Sequence, residues 1–214
     1  MATWLTHLRI AEKIKSRIKD MDLDYLMAGS IAPDSGRPDE AYKNYEPSKE
    51  ITHFEKEKNG ELYIDLTAFY NKHLQPERLI TRSDKTRSFY WGYYFHLLTD
   101  KLWCDNYYEP NKNKFQGEGD FVDLMRDEIY SLDFEYLKLN AENSIFKEFM
   151  DISIKADFLE EFSPELLYET IDRIKDYYSK ESFKLNRDYE FISLEIIEKF
   201  IDDAAEICIN TMYK

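Results

Sequence analysis

Apolar side chains recur at steps of three and four residues along most of the chain, the spacing that places them on one face of an α-helix. In the first segment Leu8, Ala11, Ile14 and Ile18 follow this spacing. Six later segments have the same period: GELYIDLTAFYNKHLQP, ending at Pro76, TRSFYWGYYFHLLTDKLWCD, FVDLMRDEIYSL, NSIFKEFMDISI, SPELLYETIDRIKDYY and SLEIIEKFIDDAAEICI. The pattern predicts an all-α fold.

Two stretches lack this period and predict long loops. Residues 35–50 hold two prolines among many charges, and residues 105–120 combine Pro110 with two glycines. With only 6 glycines and 6 prolines, the chain has few turn formers for a fold of many short strands. Neither a repeat nor a low-complexity tract divides the sequence, so we expect one multi-helix domain over residues 1–214.

The net charge restricts the classes of partner. Among 214 residues, 43 are Asp or Glu and 29 are Lys or Arg, which gives a formal net charge of −14. This balance argues against electrostatic capture of long nucleic acids or anionic membranes, since both need basic residues facing phosphates. A phosphate substrate is still compatible with it, because a bound metal supplies local positive charge.

The two cysteines, Cys104 and Cys208, are too few for a disulfide scaffold or a thiolate zinc site. Arg9, Glu12 and Lys13 interrupt the start of the chain, where a signal peptide would need an unbroken apolar stretch. The longest uncharged run near the middle, SFYWGYYFHLLT, is too short and too polar to span a bilayer. We therefore expect a cytoplasmic protein with reduced thiols and no transmembrane segment.

A polar pair interrupts an aromatic helix face near the middle of the chain. At steps of four, three, four and three residues this face carries Phe89, Tyr93, His96, Asp100 and Trp103. A buried carboxylate is costly unless it is paired or binds a cation. The pattern is therefore typical of either an internal His–Asp hydrogen bond or a metal site.

The other histidines and one loop aspartate are less distinctive by themselves. His7 is in phase with the apolar face of the first helix, where a lone histidine is more often a satisfied core residue. His53 follows a charged loop and suits a surface position. His73 lies at the end of its helix, where positive charge suits the helix dipole, and receives no site role. Asp34 lies in Pro-Asp-Ser-Gly, which alone predicts a turn.

Taken together, these segments resemble the zinc-dependent phospholipase C superfamily, which also contains single-strand-specific nucleases. The resemblance covers roughly the first half of the chain, with the motifs in matching order. The motifs are Thr6-His7-Leu8, Gly29-Ser-Ile-Ala-Pro-Asp34, Thr52-His53-Phe54 and Phe89-Tyr-Trp-Gly-Tyr-Tyr-Phe-His96-Leu-Leu-Thr-Asp100. The family is all-helical, which agrees with the apolar spacing.

The resemblance implies a zinc centre. Carried over from the family, the ligands of one ion are Asp34, His53, His96 and Asp100. His7 would accompany Asp100 at a neighbouring ion. Two imidazoles and two carboxylates form a nitrogen and oxygen set that suits Zn²⁺. The second oxygen of Asp34 or of Asp100 is the candidate proton acceptor.

The chain departs from the family downstream of these motifs. Active members supply further histidines there, whereas no histidine follows His96 in this sequence. They also use an amino-terminal tryptophan as a ligand, and Trp4 is not the first residue here. Asp123, Asp127 and Asp133 are candidates to replace the lost ligands, and such oxygen ligands would favour Mn²⁺ or Mg²⁺ at that position. For Asp123 and Asp127 the alternative is a solvated acidic face.

The resemblance and the polar pair predict a metal-dependent phosphoester hydrolase that uses metal-activated water on a small or lipid-like substrate. The alternative is a non-catalytic helical protein in which the same four ligands hold a structural metal. A third hypothesis is a binding module for a partner helix or peptide, without a metal.

Overall fold

The computed structural model of this protein describes residues 1–39, 44–117, 120–180 and 189–213. Helices make up 66% of the structure and strands 6%, so the protein is mostly helical, as the apolar spacing predicts. The helices are α1 (Trp4–Arg17), α2 (Leu23–Ile31), α3 (Lys49–Thr52), α4 (Leu66–His73), α5 (Pro76–Thr81), α6 (Asp84–Trp103), α7 (Glu109–Lys112), α8 (Phe121–Leu139), α9 (Ile145–Met150), α10 (Pro164–Tyr178) and α11 (Leu194–Thr211). The strands are β1 (Arg37–Pro38), β2 (Tyr45–Glu46), β3 (Glu55–Lys58) and β4 (Glu61–Ile64).

A β-hairpin stands where the apolar period predicts the start of a helix. Strands β3 and β4 pair in antiparallel register, and helix α4 begins only after Asp65, whose side chain caps it. The turn between the strands is Asn59-Gly60, and both residues have positive φ. This dipeptide is a strong hairpin signal, and here it prevails over the helical spacing around it.

The two predicted loops contain short regular elements. Strands β1 and β2 form an antiparallel ribbon inside residues 35–50, of which residues 40–43 lie outside the described part. In the second loop, α6 continues through a π-helical turn, Cys104–Tyr108, into α7. Pro110 lies in the first turn of α7, directly after the π-helical turn. Residues 118–119 lie outside the described part.

Helices α2 and α6 pack backbone against backbone through two glycines. A Cβ atom at Gly29 would lie 2.0 Å from the carbonyl oxygen of Phe89, and one at Gly92 would lie 2.3 Å from that of Leu26. Only glycine permits this approach, since any side chain would overlap the facing main chain. The contact places the carboxyl end of α2 directly beside the middle of α6.

Helix α1 packs against α2 and α11. Ion pairs between α1 and α11 recur along the contact, and they are Arg9–Glu198, Lys13–Asp202 and Arg17–Glu206. His7 is buried on α1, which also contacts α6. Among the described residues, no helix is both long enough and apolar enough to cross a membrane.

Candidate metal centre

Five polar side chains from four parts of the chain converge beside the α2–α6 contact. His7 comes from α1, Asp34 from a 3₁₀ turn (Ala32–Asp34) after α2, and His53 from the residue after α3. His96 and Asp100 lie one turn apart on α6. The three histidines and Asp100 are each no more than 3% exposed. The structure thus brings together the five residues that the motifs single out.

The distances between these side chains are short. Asp100 lies at the middle, with His96 Nε2 3.3 Å from its Oδ2 and His7 Nε2 3.4 Å from its Oδ1. Oδ1 of Asp34 lies 3.5 Å from His53 Nε2 and 4.0 Å from His96 Nε2. The rings of His7 and His96 stack, with centroids 3.8 Å apart. The ligand atoms form two overlapping groups within 4.8 Å, one of His7, His96 and Asp100 and one of Asp34, His53 and His96.

Neighbouring groups orient the imidazoles. Nδ1 of His96 lies 2.7 Å from the carbonyl oxygen of Ser30, which can only accept, so Nδ1 carries the proton and donates. This leaves Nε2 facing the cluster, the tautomer of a metal-binding histidine held by a second contact. Nδ1 of His53 contacts the hydroxyl of Thr52 at 3.0 Å. The main-chain N–H of Ala2 donates to Asp100 Oδ1 at 2.9 Å.

Four buried atoms of the cluster have no hydrogen-bond partner within the described part of the chain. They are Nε2 of His7, His53 and His96 and Oδ2 of Asp100. Leaving one buried polar atom unsatisfied costs about 1–3 kcal/mol, so four together in one place require an explanation. Imidazole nitrogens and carboxylate oxygens that lie within 4.8 Å of one another fit a cation such as Zn²⁺.

The electrostatics of the cluster keep both carboxylates charged. Burial alone would raise the pKa of Asp34, but His96 and His53 lower it to about 2. Asp100 is likewise buried, and His96 and His7 hold its pKa well below the usual range. Burial and the proximity of His96 lower the pKa of His7 to about 4, so His7 is neutral at pH 7. Burial opposes protonation of His96, but Asp100 and Asp34 raise its pKa.

A cavity of about 650 Å³ adjoins the centre, and Asp34 and His53 form part of its wall. Aromatic side chains line much of the rest, including Trp4, Tyr130 and Tyr177. This volume lies in the range of pockets that bind small molecules. The centre is therefore placed where a ligand in the cavity would reach Asp34 and His53.

The acidic residues of α8 lie apart from the centre. Asp123 and Asp127 are exposed, and Asp123 pairs with Arg126 at 2.6 Å. Asp133 is buried, but its Oδ2 accepts from the hydroxyl of Tyr178 at 2.6 Å and it also contacts Thr3. None of the three belongs to either ligand group. Asp123 and Asp127 therefore belong to a solvent-exposed acidic face, the alternative to metal binding. Asp133 takes part in a separate buried contact.

Asp133 is expected to make the free energy of unfolding depend on pH. Burial raises its pKa from 3.8 to about 7, against the lowering effect of Tyr178. Between these values the unfolded carboxyl is ionised and the folded one is protonated, so this residue makes the protein less stable as pH rises from about 4 to 7. We expect Asp133→Asn to remove that dependence, with a gain over wild type that grows to about 4 kcal/mol at pH 8.

Urea unfolding at pH values from 4.5 to 8 measures the difference between Asp133→Asn and wild type. Asp123→Asn is the matched control, because it makes the same chemical change at an exposed position of the same helix. Its difference from wild type should stay nearly constant over this range. A constant difference for Asp133→Asn as well would contradict the raised pKa.

The sequence patterns did not predict the contacts of two buried or half-buried residues, His73 and Arg173. His73 is fully buried, with Nε2 2.6 Å from Oε1 of Glu161 and its ring stacked on Tyr90. Its position therefore reflects this buried contact with Glu161 and not only the helix dipole. Arg173 of α10 donates to the main-chain oxygen of Asp34 at 3.2 Å. Both contacts join residues far apart in sequence, so no local spacing could have revealed them.

Comparisons with known protein families, with curated proteins and with solved structures found no match.

Proposed function

We propose that the centre binds zinc and that the protein is a metal-dependent hydrolase of small or lipid-like phosphoesters, similar to the zinc-dependent phospholipase C superfamily. The observation that carries the proposal is that three Nε2 atoms without a hydrogen-bond partner among the described residues lie together with two anionic carboxylates. Asp34 and His53 of this group border a large cavity. The order of the motifs along the chain and the mostly helical fold support the same family.

The residues divide into two overlapping sets. By the resemblance, Asp34, His53, His96 and Asp100 would hold one ion, and His7 would share Asp100 at a second. The ligand atoms within 4.8 Å of one another form the groups Asp34, His53, His96 and His7, His96, Asp100, which overlap at His96. A bound zinc ion supplies Lewis acidity, which polarises a phosphoryl oxygen and activates water. With no downstream histidines, and with the α8 carboxylates elsewhere, these five side chains make up the proposed centre.

Asp34 is the better placed of the two candidate proton acceptors. It forms part of the cavity wall, and its side chain is 13% exposed, whereas that of Asp100 is 1% exposed. One oxygen of Asp100 already accepts from the main chain of Ala2. We therefore assign the proton-accepting role to Asp34 and a purely ligating role to Asp100.

A structural metal is the second candidate function. Burial of His7, His53, His96 and Asp100 to 3% exposure or less favours it, since structural zinc sites are closed by protein ligands. Against it stands the position of Asp34 and His53 in the wall of the cavity, where a substrate would have access to the centre.

Elemental analysis combined with turnover separates the two candidates. Zinc- and manganese-loaded protein is assayed with an aryl phosphomonoester, an aryl phosphodiester and a short-chain phospholipid, beside Asp34→Asn and the control Asp151→Asn, which is exposed and outside the cavity wall. The hydrolase predicts near-stoichiometric metal, turnover in wild type and the control, and a loss of at least about 100-fold in Asp34→Asn. Bound metal without turnover of any of these substrates would contradict the hydrolase proposal and favour a structural metal.

A further inference from the structure

The described residues of the cavity wall include more basic than acidic side chains, whereas the chain as a whole is acidic. The whole sequence has a net charge of −14. Yet the described residues of the wall include three cations, Lys49, Arg126 and Arg173, and one carboxylate, Asp34. Arg126 is paired with Asp123, so the charge that favours an anionic ligand comes mainly from Lys49 and Arg173. Charges in a cleft act through a less polar medium than bulk water.

Arg173 is the cation held nearest to the metal centre. Its Nη2 donates to the main-chain oxygen of Asp34 at 3.2 Å and to the hydroxyl of Thr170 at 3.1 Å. Its Nε is buried and has no hydrogen-bond partner within the described residues. The guanidinium is thus fixed beside Asp34, and the Arg173 side chain forms part of the cavity wall.

No carboxylate in the described part of the chain lies within 4.0 Å of the Arg173 guanidinium. The acidic residue one turn earlier on α10, Glu169, is engaged by Arg37, which donates from Nε at 2.9 Å and from Nη2 at 2.5 Å. Arg126, by contrast, pairs with Asp123. Among the described residues no carboxylate thus forms a direct ion pair with Arg173, although Glu169 interacts with its charge at longer range. A guanidinium suits the oxygens of a phosphate group.

Apolar surface continues from Arg173 along the cavity. The Arg173 guanidinium carbon lies 5.8 Å from the centre of the Trp4 ring, and Trp4 in turn contacts Tyr130 and Tyr177 edge to face. Val122, Met125 and Ile129 of α8 complete an apolar wall. A ligand that fits this arrangement has a charged end and an apolar or aromatic body.

We propose that the cavity binds an amphipathic phosphate monoester or its phosphonate analogue, with Arg173 as its anion-binding residue and the apolar body against Trp4 and α8. This ligand class would be the substrate class of the proposed function. Only its hydrolysis rests on the proposed function. Binding of the anion requires only the cavity and Arg173.

The test measures binding of octylphosphonate and phenylphosphonate by calorimetry and by tryptophan fluorescence, in chelator-treated and in zinc-loaded full-length protein. The two probes distinguish an aliphatic from an aromatic body. Arg173→Met should weaken binding by about 10- to 100-fold in both metal states, as expected for a charge-assisted hydrogen bond. Arg173→Lys should retain part of the affinity.

Controls make the result specific. Arg78→Met removes the same charge at an exposed site of α5 outside the cavity wall, and its affinity should equal that of wild type. Octanol, which lacks the charge, should show no dependence on Arg173. If Arg173→Met does not fold, as judged by circular dichroism, Arg173→Gln removes the charge while keeping a donor for the Asp34 carbonyl, and the same loss is expected.

The outcomes separate this inference from the proposed function. If zinc-loaded protein binds phosphonates in a manner that depends on Arg173 but hydrolyses none of the phosphoesters, the proposed hydrolase is wrong and the anion-binding role of Arg173 stands. Equal affinity of wild type and Arg173→Met, or no binding of either phosphonate, would overturn the inference whether or not the protein hydrolyses phosphoesters.

Discussion

Replacing Gly29 with alanine is expected to lower the free energy of unfolding by about 3 kcal/mol, at the upper end of overpacking effects. The new Cβ would lie 2.0 Å from the carbonyl oxygen of Phe89, which is main chain and cannot rotate away. Helix propensity alone would favour alanine by about 1 kcal/mol, so the sign of the change tests the backbone contact. Urea unfolding with a common slope gives the value.

Gly92→Ala should behave in the same way, because its Cβ would lie 2.3 Å from the carbonyl oxygen of Leu26. Gly60→Asn is the control: the position has a positive φ, which asparagine tolerates, and nothing lies within 4 Å of an added Cβ. Its stability should change by less than about 1 kcal/mol. Stabilisation of the protein by Gly29→Ala would show that α2 and α6 are not in such close contact.

Removal of bound metal is expected to have the other large effect on stability. If the centre binds zinc as proposed, a free zinc concentration about 1,000 times the dissociation constant stabilises the folded protein by about 4 kcal/mol, and chelation removes this contribution. The physical reason is that four buried atoms of the cluster, which have no hydrogen-bond partner among the described residues, would gain one from the ion. Thermal unfolding with and without chelator measures the change.

Two histidine variants make this experiment specific. His96→Ala should abolish the zinc-dependent rise in melting temperature, because His96 belongs to both ligand groups. His73→Ala removes an equally buried histidine that pairs with Glu161 outside the centre. It should lower the baseline melting temperature and leave the zinc-dependent rise intact. If the wild-type protein has the same melting temperature with zinc and with chelator, the cluster is a His–Asp hydrogen-bond network and not a zinc site.

Local sequence signals predicted most helices and part of the site. The segments that became α1, α6, α8, α10 and α11 have long apolar periods, and each forms a helix. Helix α9 is shorter than its apolar segment suggested, covering Ile145–Met150. The polar pair His96 and Asp100 was conspicuous because it breaks an aromatic face. The hairpin of β3 and β4 was missed because four exposed or half-exposed residues per strand leave little apolar pattern to distinguish it from a helix.

The sequence by itself determined the mostly helical class and nominated His7, Asp34, His53, His96 and Asp100, since helical periodicity and short ordered motifs are local properties. Only the tertiary structure decided that Asp133 is satisfied elsewhere, that His73 pairs with Glu161, and that Arg173 stands beside Asp34. Each of these depends on contacts across tens of residues. Such contacts arise from the packing of helices against one another, here α2 on α6 through two glycines, and packing leaves no periodic trace in the chain.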